Sequence, residues 1–185
     1  MPQQSDASAT ARAFVAVRLP DAVLDAVEAV VPAAEGARFT TREQRHLTLQ
    51  FLGNRADVDA VADALHALAI ARGGVQLGGG GAFPSARRAR VLWVGVAEGG
   101  AFLSQLAAAV GALLAPLGHE PEVREYHPHV TLARWKTPTD ARPAVTTIGD
   151  GAVGAPFTVE EVVLYESRLR RAGAQYVVRD VVPLA

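Results

Sequence analysis

The sequence predicts an α+β fold resting on largely antiparallel sheets. Three observations carry that expectation. Short runs rich in Val, Phe and Leu have strand character, while longer runs place apolar residues at helical spacing. The helices do not alternate strictly with the strands, as a doubly wound parallel sheet would require. The chain has 185 residues, half of them hydrophobic and a fifth charged, which is material for one sizeable core.

The elements follow in order. Residues 1–11 are polar and small and are expected to form a disordered tail, leaving 12–185 as a single domain. Ala13–Leu19 reads as a strand. Pro20 and Asp21 open a helix carrying Val23, Leu24, Val27, Val30 and Val31, closed by Pro32 and Gly36. A strand is expected from His46 to Leu52, ending at Gly53, and a helix from Asp57 to Ala71. Val75–Leu77 and Arg90–Val96 read as strands, with the glycine run Gly78–Gly81 between them as a flexible turn or irregular strand edge. A helix over Phe102–Leu117 and a strand over His129–Trp135 come next. The proline-interrupted stretch Thr137–Pro156 is expected to be mainly loop. Phe157–Glu166 and Gln175–Val182 read as a closing pair of strands.

Composition narrows the chemistry. With 18 basic and 19 acidic residues, the chain has no basic coat for nucleic acid, although a local patch is allowed. It contains no cysteine, which excludes disulfides, thiolate metal sites and cysteine nucleophiles. Lys136 is its single lysine and lies in no glycine-rich loop, which argues against phosphate-loop chemistry. The polar N-terminus does not read as a secretory signal, and no run of about 18 uninterrupted apolar residues suggests a membrane span. The expectation is a cytoplasmic monomer with no membrane contact.

One motif occurs twice. His46-Leu47-Thr48-Leu49 recurs as His129-Val130-Thr131-Leu132, each copy in an expected strand. Residues two apart on a strand share a face, so each copy presents a His–Thr pair on one side and buries its aliphatic residues on the other. Strict alternation also assigns Phe51 to the buried side with Leu47 and Leu49. Two such strands facing each other would offer two imidazoles and two hydroxyls to one ligand. An imidazole titrates near about 6.5, so one can act as base and the other as acid on opposite sides of a phosphate. A single His-x-Thr means little; the repetition with matching alternation is what carries weight.

The segments His46–Gly53 and His127–Arg134 resemble the paired HxTx motifs of the two-histidine (2H) phosphoesterases, and within them the bacterial and archaeal RNA 2′,3′-cyclic phosphodiesterase family, also called LigT-like or 2′-5′ RNA ligase. Arg12–Val17, Phe83-Pro84 with Arg90–Trp93, and Ser167, Gly173, Tyr176 and Pro183-Leu184 resemble other segments of that family. The resemblance implies two pseudo-symmetric lobes with antiparallel sheets lining a central cleft and helices outside. It implies hydrolysis of RNA or nucleoside 2′,3′-cyclic phosphate to a 2′-phosphate, with no cofactor and no metal, and with possible reversal as ATP-independent 2′-5′ ligation. His46 would be proton donor, His129 proton acceptor, and Thr48, Thr131 and Arg134 phosphate ligands. Strict alternation would turn Arg134 away from His129, so the strand must end or twist before it. The alternatives are another cyclic or 2′-5′ linked nucleotide as substrate, or a non-catalytic RNA-end binding domain.

Other residues weigh less. The His127-Pro128-His129 run has no further ligands at metal spacing. His66 and His119 read as solvated. Arg87, Arg88 and Arg90, with Arg42 and Arg45, could form an RNA-contacting rim, and Phe14, Tyr126 and Trp135 could stack a base.

Overall fold

The computed structural model describes residues 10–170 and 173–185. Among them, nine strands and four α-helices follow one another as β1 (Thr10–Arg18), α1 (Asp21–Ala29), β2 (Arg38–Phe39), β3 (His46–Asp57), α2 (Val58–Leu65), β4 (Gly73–Phe83), β5 (Ala89–Glu98), α3 (Gly100–Leu114), β6 (Val130–Thr139), α4 (Arg142–Ile148), β7 (Ala152–Val159), β8 (Glu161–Arg170) and β9 (Gly173–Pro183). Every pairing among these strands is antiparallel. The strands run in the order β7-β4-β5-β6-β3-β1-β8-β9, with β2 added to β6. The expected α+β class and antiparallel sheet are both present.

The sheet is two halves. On one side β8-β1-β3 is carried by the chain order β1-α1-β3-α2; on the other β4-β5-β6 is carried by β5-α3-β6-α4. The halves meet at β3 and β6 through one backbone pairing, Leu47 with Val130. Those are the residues that follow His46 and His129. The aliphatic positions of both motifs, Leu47, Leu49, Val130 and Leu132, are buried in one continuous core with Val15, Val17, Leu92 and Val94. Fully burying each such side chain contributes roughly 1.5–3 kcal/mol.

Several expectations need correction. Residues 1–9 of the expected tail lie outside the described residues, while Thr10 and Ala11 belong to β1, paired with Asp57 and Ala56. The helix expected from Asp57 is shorter, Val58–Leu65, and Asp57 is its cap, accepting from the Ala60 amide at 3.1 Å. Of the two expectations for the glycine run, the irregular strand is the one present, though inside the sheet and not at its edge: Gly80 and Gly81 pair with Val94 and Trp93 after a register shift. Glycine is required there because Ile148 packs over Gly80 and the Trp93 indole lies over Gly81, filling the space of a Cβ. The stretch 137–156 is not mainly loop; it holds the end of β6, α4 and the start of β7, which pairs with β4. By length and apolar composition Gly100–Leu117 would suffice to cross a membrane, with mean hydropathy 1.7. Here Leu103, Leu106, Val110 and Leu114 of this helix are buried in the core.

The glycine–indole contact generates a stability prediction. Gly81→Val puts atoms where the Trp93 ring now lies, and overpacking of this kind typically costs about 1–3 kcal/mol. Urea unfolding should show a lower midpoint, together with a changed tryptophan emission spectrum. An unchanged midpoint would show that the ring is not seated on Gly81.

Candidate active site

Both motifs depart from strict alternation at the same place. Along β1 and β3, Ala16 pairs with Thr48 but Val15 pairs with Gln50, so Leu49 is an extra residue, a β-bulge. Along β5 and β6, Trp93 pairs with Thr131 but Leu92 pairs with Ala133, so Leu132 is an extra residue. A bulge shifts the side-chain phase by one. Directly paired residues share a face, so Arg134, opposite Val91, returns to the side of Trp93 and Thr131. Phe51, opposite Phe14, returns to the side of Ala16 and Thr48. The first shift places Arg134 with His129, as the resemblance required. The second corrects the assignment of Phe51 to the buried side: it is 52% exposed.

His46 opens β3 after a tightly held turn. Gln44 Oε1 accepts from the Thr41 amide at 3.1 Å and Gln44 Nε2 donates to the Ala174 carbonyl at 2.6 Å. The Gln44 carbonyl accepts a hydrogen bond from the His46 ring. The other ring nitrogen, Nε2, lies 3.0 Å from Thr48 Oγ1. In the neutral ring with Nδ1 protonated, Nε2 is an acceptor and the Thr48 hydroxyl donates to it. His129 is held the same way: Nδ1 donates to the His127 carbonyl at 2.7 Å, leaving Nε2 for a ligand. Each imidazole is thus tethered through the carbonyl two residues before it, which fixes tautomer and direction.

Aromatic rings enclose both imidazoles. Phe14 stacks on His46 at 4.7 Å between ring centroids, and Tyr176 meets it edge-on at 5.4 Å. Phe83 meets His129 edge-on at 5.0 Å, with Trp93 at 6.1 Å. Burial is the main effect on both groups. It pushes His46 down from 6.5 to about 4, with His129 and Arg134 also opposing its protonation and the Gln44 carbonyl favouring it. Burial also holds His129 below its usual value; the His127 carbonyl opposes the shift, and the nearby His127 ring and Arg134 add to it. The Arg134 charge therefore bears on both rings. Next to them lies a cavity of about 760 Å³ lined by Thr48, Phe51, Phe83, Arg90, Tyr126 and His129, among others.

The structure thus places His46, Thr48, His129, Thr131 and Arg134 on one side of the sheet, either side of its seam. The secondary candidates fare differently. Arg42 is bound to Asp25 at 2.7 Å and to Asp21 at 3.1 Å, and the buried Arg45 lies 3.2 Å from Glu28; both tie the turn before His46 to α1 and neither forms a rim. Arg87 and Arg88 are exposed in a turn, while Arg90 lines the cavity and donates to the Lys136 carbonyl at 2.6 Å. Phe14 is buried under His46, and Trp135 is buried with Nε1 donating to the Glu35 carbonyl at 2.9 Å, so neither offers a free face. Tyr126 donates to the Thr48 carbonyl at 2.9 Å. The His127 ring packs edge-on against Trp93 at 4.8 Å. His66 is not simply solvated, lying 2.9 Å from Asp180 Oδ2. Among the described residues no three His, Asp or Glu side chains cluster at metal-binding distance. Sequence reasoning missed Tyr165, Tyr176, Phe83 and Trp93 as part of the enclosure of the two imidazoles, and Phe51 as a residue of the cavity wall. The signal available was spacing: Phe51 and Arg134 are both the fifth residue after a motif histidine.

Known proteins similar to this chain fall in one family. The chain is 34% identical over 183 residues to an RNA 2′,3′-cyclic phosphodiesterase of Thermus thermophilus, spanning 91% of this chain and 88% of the relative. It is 32% identical to one of Methanothermobacter thermautotrophicus, spanning 92% and 97%. Among solved structures, a protein of Thermus thermophilus superposes with a TM-score of 0.77 at 30% identity, covering 93% of this chain and 97% of the other. The Escherichia coli LigT protein complexed with 3′-AMP superposes with a TM-score of 0.75 at 26% identity, covering 95% and 98%. The 2′-5′ RNA ligase superfamily profile matches residues 14–171. With its two bulged His-x-Thr strands meeting at one seam, the chain belongs to the 2′-5′ RNA ligase superfamily of two-histidine phosphoesterases.

Proposed function

We propose that this chain hydrolyses 2′,3′-cyclic phosphate on RNA ends or nucleosides to a 2′-phosphomonoester, by acid–base catalysis without metal or cofactor. The observation that carries the reading is the paired bulge, which puts two His–Thr pairs and Arg134 on one face around a single seam. The relatives named RNA 2′,3′-cyclic phosphodiesterase support the substrate class.

In the proposed step, Thr48, Thr131 and Arg134 hold the phosphate. Water attacks phosphorus as His129 Nε2 takes its proton. The bond from phosphorus to the 3′ oxygen breaks in line, and His46 Nε2 gives that oxygen a proton. Donor and acceptor are assigned by the resemblance. The free chain keeps His46 neutral, so the proton it donates is retained only when the bound phosphate supplies negative charge beside it. The reverse step would join a cyclic phosphate end to a 5′ hydroxyl as a 2′-5′ bond without ATP. The chain would act as a monomer, through one bilobal domain, in the cytoplasm.

His46→Ala and His129→Ala should each lower kcat by roughly 10²–10⁴-fold, the usual share of a general acid or base, with the far-ultraviolet spectrum unchanged. Full activity in either variant would remove the mechanism. Chelator should leave hydrolysis unaltered; loss of activity restored by one divalent ion would replace this mechanism with a metal-assisted one.

The pH dependence follows from the depressed imidazoles. A low free-state pKa means that the proton on the acid is lost as pH rises through that low value, while the base is freed only above its own. The kcat/KM profile reports the free enzyme, so it should be a bell centred on the acid side of 6.5. The kcat profile should be displaced to higher pH, because bound phosphate favours imidazolium. A kcat/KM maximum above pH 7 would contradict the buried, neutral state of both rings.

A further inference from the structure

Each half tethers its imidazole through a carbonyl two residues back, Gln44 for His46 and His127 for His129. These tethers fix the direction of each ring within its own half. They do not fix the distance between the rings, which lie on opposite sides of the seam. There β3 and β6 share a single pair, Leu47 with Val130. An acid and a base must sit in line across one phosphorus, so their separation needs a further constraint.

Two hydroxyls cross the seam. Tyr126, next to His127 in the chain, donates to the Thr48 carbonyl of the other half at 2.9 Å. Thr40, which follows β2 on the approach to His46, donates to the Thr131 carbonyl at 2.8 Å and lies 3.1 Å from the Leu132 carbonyl. Its amide donates to the same Leu132 carbonyl at 2.9 Å. The accepting threonines are those at the two bulges. A bulge disrupts its ladder, which leaves its carbonyls open to donors from outside. Burial pushes the Tyr126 phenol well above its ordinary value, so it stays protonated and able to donate.

Both connections are short. One runs from Thr48 through Tyr126 to the adjacent His127 carbonyl and so to His129 Nδ1. The other runs from Thr131 through Thr40 to Thr41, whose carbonyl accepts from the Gln44 amide at 3.0 Å, and through the Gln44 carbonyl to His46. Each imidazole is thereby referenced to the threonine of the opposite half.

We propose that Tyr126 and Thr40 are positioning residues whose hydroxyls, each holding the bulge threonine of the opposite half, set the separation of the two imidazoles for the reaction. This rests on the cyclic phosphodiesterase reading and adds what keeps its acid and base at one distance.

The test uses variants that remove a hydroxyl and little volume. With adenosine 2′,3′-cyclic phosphate, Tyr126→Phe and Thr40→Val should each lower kcat roughly 10-fold, since a misplacement of about 1 Å can cost about 10²-fold. Thr40→Ser keeps the hydroxyl and should restore the rate. The second readout is the nitrogen-15 signals of the histidine rings. Tyr126→Phe should move those of His46, because the Thr48 hydroxyl bonded to His46 Nε2 belongs to the residue whose carbonyl Tyr126 holds. A purely local role for Tyr126 would move His129 alone, through the His127 carbonyl. An unchanged kcat in Tyr126→Phe or Thr40→Val, Thr40→Ser as slow as Thr40→Val, or unmoved His46 signals in Tyr126→Phe would each overturn the proposal and leave the hydrolytic function standing. Should Tyr126→Phe fail to fold, the Thr40 pair decides alone. No turnover of any cyclic phosphate by the unsubstituted chain removes the hydrolytic function, whereas the ring signals still report whether the hold across the seam exists.

Discussion

The pairing of Leu47 with Val130 is the constraint on which the rest of the structure depends. It is where β3 and β6 share a ladder, reinforced by the pairing of β2 with β6, and it falls between the histidine and threonine of both motifs. Buried aliphatic residues on either side hold it: Leu47 and Val130 are fully inaccessible, as are Leu92, Val94, Val15 and Leu132. A slip of one residue at this seam would turn one of the two His–Thr pairs into the core and separate it from the other. The core and the site are therefore two faces of the same four strands, and stability on one side sets register on the other.

Around that seam the chain surrounds two titratable groups with hydrocarbon. Phe14, Tyr165 and Tyr176 close round one imidazole; Phe83 and Trp93 close round the other. The glycine run of β4 takes part indirectly, since the indole that flanks His129 lies over Gly81. Desolvation keeps both rings uncharged until an anion arrives, and Arg134 opposes protonation of either. Under the proposed function, an anion between the rings would reverse both effects and couple substrate binding to proton loading.

Much of this is legible in the sequence because period-two alternation is local. The His-x-Thr spacing and the aliphatic residues between are enough to predict the cleft face and the core face. What is not legible is the register with neighbouring strands. The bulges at Leu49 and Leu132 exist only against β1 and β5, so strict alternation sends Phe51 to the core and leaves Arg134 in need of a twist. The glycine run reads as a turn or irregular strand edge for the same reason. Its low strand propensity is overridden by Trp93 and Ile148, residues distant in sequence that fill the space above it. Arg42 and Arg45 look like a rim because Asp21, Asp25 and Glu28, their partners on α1, are separated from them by a turn and a short strand.

The central claim is that two desolvated imidazoles flank one phosphate and that its charge protonates one of them. Nitrogen-15 NMR titration of the histidine rings, with and without a bound nucleoside 2′-monophosphate, tests this most directly. Both His46 and His129 should titrate below 6.5 in the free chain, and one of them should move above it in the complex. Two rings with ordinary midpoints that ignore the ligand would contradict the account.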